Sequence, residues 1–145
     1  MKILWTDGSA EPNPGPGGWA VIEDCGGGEA RPVVLGSEAD TTNIRMEGSA
    51  LIAAIKYAKG EAVEIYTDSE FWVNVLKKWA PSWQADGWRK KTGPIKNLEM
   101  VKELYQLYTE NKVELVWVRG HAGTRLNEMA DEWAGKARTG AHLEQ

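Results

Sequence analysis

The hydrophobic period of this chain changes at Asn43, and that change limits what the chain can fold into. Before it, apolar runs predict strands at Lys2 to Thr6, Trp19 to Glu23 and, as part of a third, Arg31 to Gly36. The CGGG run from Cys25 to Gly28 suits a hairpin, because glycine accepts positive φ. After Asn43, residues Met46, Ala50, Ala53/Ala54 and Tyr57 recur at helical spacing, with Gly60 as a stop. Val63 to Thr67 and Val113 to Val118 predict two further strands. Trp72, Val75, Leu76 and Trp79 mark a helix that Pro81 is expected to break. The stretch APSWQADGWRKKTGP lacks a clean period and predicts a protruding turn or short helix. Ile95 through Tyr108 predicts another helix, RGHAGTRLN a loop, and Leu126 through Ala137 the clearest amphipathic helix. The order βββ-α-β-α-α-β-α predicts an α/β fold with a mixed sheet and helices on its faces.

A chain of 145 residues can bury one real core, and no linker or repeat divides it. No apolar run approaches the roughly 20 residues of a membrane span. Cys25 is the only cysteine, which excludes an internal disulfide and fits a reducing, cytoplasmic compartment. The net charge of −4 argues against a nucleic-acid partner until its distribution is considered. From Lys77 to Lys102 seven Lys/Arg face two acids, a local +5. Such a segment is either an electrostatic footprint or a solvated helical face.

Two strands run out into the same sequence, Thr-Asp followed by a small residue, at Asp7 and at Asp68. If those strands are parallel neighbours, both carboxylates converge at one end of the sheet. Glu47 is expected in the first turn of its helix and Asp131 in the first half of the last helix, where both can project toward that end. Each acid has an ordinary reading as well: Asp7 as a turn former, Asp68 as an N-cap, the other two as helix acids. As a set, four uncompensated carboxylates call for hard divalent cations, which combine oxygen ligands with a phosphate substrate. Neither a His/Cys zinc pattern nor a phosphate loop offers another chemistry.

TDGSAEPNPGPGGWA, TTNIRMEGSALIAA, YTDSE, the segment around Trp79, Trp83 and Trp88, PIKN and VRGHAGTRLNEMADEWA together resemble type 1 ribonuclease H, in family order and as far as Ala137. The resemblance implies a ribonuclease H-like fold with a five-stranded mixed sheet, residues 1–138 as the catalytic domain and 139–145 as a short tail. It implies an endonuclease that cuts the RNA strand of RNA/DNA hybrids with two Mg²⁺ ions, Mn²⁺ being a possible substitute. It assigns metal binding and catalysis to Asp7, Glu47, Asp68 and Asp131, and proton handling or product release to His121. Gly8 and the loop after it would let substrate backbone approach.

By the same resemblance, Asn13, Asn43 and Glu70 lie near the hybrid's minor groove, and Thr42 and Asn97 hold a DNA phosphate. Trp79 and Trp83 would face DNA sugars, with Trp88 in the same protrusion, while Trp72, Trp117 and Trp133 are expected in the core. There are three departures from the familiar pattern: Glu70 for glutamine, Ile44 for asparagine, and Gln84-Ala85-Asp86-Gly87 where basic residues are common. The expectation is a free-standing monomer without a preceding hybrid-binding module, an obligate protein partner or a membrane anchor. Two competing readings are a non-catalytic hybrid-binding module and an excised reverse-transcriptase domain.

Overall fold

The computed structural model describes residues 1–120 and 123–143. Three strands come first, β1 (Lys2–Ala10), β2 (Gly15–Gly26) and β3 (Glu29–Thr41), followed by α1 (Asn43–Tyr57) and β4 (Val63–Thr67). Then come α2 (Glu70–Asn74), a π-helical segment (Val75–Trp79), α3 (Ala80–Ala85), α4 (Leu98–Glu110), β5 (Val113–Trp117) and α5 (Arg125–Arg138). The strands form one mixed sheet in the order β3-β2-β1-β4-β5. β1 pairs antiparallel with β2 and parallel with β4, and β4 pairs parallel with β5. The expected fold and the parallel neighbourhood of β1 and β4 are both present.

Alternation along β1 explains the two layers. Leu4, Thr6 and Gly8 point to one face, where α1 packs closely enough that a Cβ on Gly8 would overlap the Met46 backbone. Gly8 therefore admits a helix, a packing role beyond the substrate approach expected from sequence. That face holds the main core, including Leu4, Val21, Leu51, Ile65, Trp72, Val101, Leu104 and Leu115. On the other face α5 packs across β1, β2 and β3. Small residues make the approach close: Ala130, Ala134 and Ala137 are buried, and a Cβ on Gly18 would overlap the α5 backbone.

Four expectations change. The first three strands are longer than their apolar runs, because β1 continues along β2 beyond the reach of β4. Pro81 does not break the helix; the backbone widens to π over Val75–Trp79, and the Ala80 N–H bonds the Val75 carbonyl. Pro81 then falls in the first turn of α3, where no intrahelical donor is needed. The segment RGHAGTRLN does not stay a loop, since α5 begins at Arg125. Trp117 is 45% exposed rather than buried, at the carboxyl end of β5, and Trp133 is only half-buried.

Candidate active site

The four acids come from four different elements and meet at one edge of the β1–β4 pair. Asp7 lies within β1, two residues past the last pairing with β4, and is 7% exposed. Asp68 follows β4 directly and does not cap α2, because Ser69 does so, accepting from the Trp72 N–H at 3.3 Å. That division of labour leaves the Asp68 carboxylate available. Glu47 sits in the second turn of α1, not the first. Asp131 lies midway along α5, exposed.

Their proximity shows in their electrostatics. Burial pushes Asp7 well above the usual carboxylate range, and the Asp68 charge pushes it further. The Asp131 carboxylate beside it raises Asp7 as well. Burial and Asp68 raise Glu47 to about 7, against a hydrogen bond from Ser69. Among the described residues no ion pair compensates any of the four. No three such side chains among the described residues already close around a single cation-sized point. The donor chemistry nonetheless fits a hard divalent ion, whose charge would offset the repulsion among these carboxylates.

The polar residues expected beside the acids form two groups. Asn43 accepts from the Ala10 N–H at 2.6 Å, and Asn13 accepts from the Asn43 N–H at 3.2 Å. Both Oδ1 atoms thus serve the fold, which turns the amide NH₂ groups to other partners. Thr42 caps α1, while Asn97 accepts from Arg45 Nη1 at 3.3 Å and holds a left-handed backbone. Arg45 is a cation that the sequence reading did not assign, although it lies between Thr42 and Glu47 in the RME segment. Glu70 is exposed in the first turn of α2.

Farther along the same surface, Trp79 and Trp83 lie 6.0 Å apart, and Phe71 meets Trp79 edge-on at 6.2 Å. With Lys90, Thr92, Ile95 and Lys96 they line a groove of about 350 Å³. Phe71, Lys90 and Lys96 extend the expected aromatic face and were not singled out as contacts from sequence. Trp88 is placed differently: it packs edge-on against Tyr105 at 6.0 Å, with Lys102 over its ring. It ties the protrusion to α4 and does not join the Trp79–Trp83 surface. His121 lies outside the described residues.

Comparison with known proteins gives the family of the chain. Residues 1–139 match the RNase H family. A ribonuclease H of Methylorubrum extorquens is 42% identical over 133 residues, covering 91% of this chain. The chain spans only 58% of that protein's length. One from Syntrophomonas wolfei subsp. wolfei is 42% identical over 139 residues, covering 93% of this chain and 94% of that protein. Among solved structures, LC9-RNase H1, described as a type 1 RNase H with the type 2 active-site motif, is similar with a TM-score of 0.79. It shares 30% identity, over 97% of this chain and 74% of the other. The chain belongs to the RNase H family.

Proposed function

We propose that this chain is an endonuclease that hydrolyses the RNA strand of RNA/DNA hybrids, leaving 5′-phosphate and 3′-hydroxyl ends. Asp7, Glu47, Asp68 and Asp131 would hold two Mg²⁺ ions, with Mn²⁺ as a possible substitute. The observation that carries the reading is the gathering of these four acids without a described cationic partner. Divalent ions bound there supply an activated water and offset the charge of the leaving oxygen. A module that only bound nucleic acid would gain nothing from four uncompensated charges facing a phosphate backbone.

The surrounding residues distinguish the two strands. The amides of Asn13 and Asn43 and the carboxylate of Glu70 supply donors and an acceptor for 2′-hydroxyls, the feature that marks RNA. Thr42, Arg45 and Asn97 hold a phosphate of the DNA strand. The groove of Phe71, Trp79 and Trp83, flanked by Lys90 and Lys96, takes its sugars and next phosphates. His121 handles a proton or helps product leave, as an imidazole that changes charge near neutral pH can. A larger cavity of about 580 Å³, lined by Lys2, Tyr57, Lys59 and Glu61, lies at the opposite end of β1. It has no part in this reading, since it lies away from the four acids, at the end of β1 that carries Lys2.

Residues 1–138 form the catalytic domain and 139–145 its tail, acting as a monomer in the cytoplasm without an obligate protein partner. No described helix is long and apolar enough to cross a membrane. The test is cleavage of one end-labelled RNA paired with DNA, paired with RNA, and single, each with Mg²⁺ and with chelator. Metal-dependent cutting confined to the hybrid is expected. Hybrid binding without cutting in Mg²⁺ or Mn²⁺ would leave only the binding-module reading.

A further inference from the structure

Asn127 has no place in the reading above, yet the fold brings it onto a catalytic carboxylate. It is 3% exposed, and its Nδ2 donates to Asp68 Oδ2 at 3.3 Å. It precedes Asp131 by four residues on α5, so one helical face delivers both side chains to the sheet. The backbone of Asp68 is held independently. Its carbonyl accepts from the Glu70 N–H at 3.1 Å and from the Trp117 indole at 3.3 Å. What is left free is rotation of the carboxylate, and the Asn127 amide restrains it.

The donor is neutral, and that matters. A lysine or arginine would hold the same oxygen but cancel the charge that a metal needs. An amide orients the carboxylate and leaves its negative charge intact. Gly120 keeps the other approach open, because a Cβ there would stand 3.0 Å from the same Oδ2. We infer that Asn127 is a positioning residue: through its hydrogen bond it fixes the orientation of Asp68 and thereby sets metal affinity. This rests on the metal-dependent reading of the site.

The experiment is calorimetric titration of Mn²⁺, and separately Mg²⁺, into wild type, Asn127→Leu and Asn127→Gln, with hybrid cleavage measured beside it. Leucine removes the donor at similar volume, whereas glutamine keeps an amide on a longer arm. Asn127→Leu is expected to weaken metal binding by about tenfold or more and to lower kcat, with KM within about twofold. Asn127→Gln is expected to fall between it and wild type. If leucine prevents folding, judged by circular dichroism, Asn127→Ser removes the contact with a smaller, polar side chain and gives the same readout. Metal affinity within about twofold of wild type in a folded variant that lacks the amide would overturn the inference alone. A wild type that binds neither ion would overturn it together with the functional reading.

Discussion

At the scale of single residues, the site was legible where chemistry follows from residue type and obscure where it follows from who bonds whom. Asp7 and Asp68 announced themselves by repeating Thr-Asp at the ends of two apolar runs. The sequence left open whether Asp68 was a cap, and only the Ser69–Trp72 bond settles that. Arg45 and Asn127 stayed hidden because their roles depend on partners 52 and 59 positions away. The raised acids carry a pH signature. Glu47 moves from 4.5 to about 7, so the metal-free folded chain holds a proton there that the unfolded chain has released. Stability of the metal-free protein therefore falls as pH rises through that window, and Asp7 extends the fall upward. Denaturant titrations at the two ends of the window should show it, with Mg²⁺ recovering the loss. Glu47→Gln should stabilise the metal-free protein by about 1–3 kcal/mol at the alkaline end and hardly at the acid end. No difference between the two pH values would mean that the acids are not crowded as described.

At the scale of elements, hydrophobic period located every strand and helix core but misjudged their ends. β1 runs on to Ala10 because pairing with β2, invisible in an apolar run, continues past the parallel pairing. Pro81 is tolerated because the preceding turn widens, a backbone adjustment that no residue pattern encodes. Gly8 was read as making room for substrate, whereas its lack of Cβ lets α1 lie on β1. Gly8→Ala should therefore cost about 2 kcal/mol or more, read as a lower melting temperature. A variant as stable as wild type would show that α1 sits farther from β1. Trp88, packed between Lys102 and Tyr105, holds the protrusion in place. Trp88→Ala should raise KM for the hybrid by roughly 3–10-fold with kcat nearly unchanged, the cost of losing one aromatic contact and one cation–π contact. An equal fall in kcat with KM unchanged would place Trp88 at the chemistry instead.

At the scale of the molecule, a chain of net charge −4 can engage a polyanion because its positive charge is concentrated in one segment. That segment, from Lys77 to Lys102, carries the groove of Trp79, Trp83, Lys90 and Lys96. The least basic part of the protrusion is Gln84 to Gly87, exposed throughout. Changing Gln84→Lys and Asp86→Lys together should tighten hybrid binding and steepen its salt dependence by about one unit of log–log slope per added phosphate contact. Unchanged affinity and slope would show that the hybrid does not reach this part of the surface. The central claim is that the four carboxylates work by holding metal against the scissile phosphate. It is tested most directly by the single-turnover cleavage rate of Asp68→Asn on an RNA/DNA hybrid in Mg²⁺, with hybrid affinity measured in chelator. A rate lowered by about a thousandfold or more, with affinity changed little, is expected. A variant that cuts at close to the wild-type rate would contradict it.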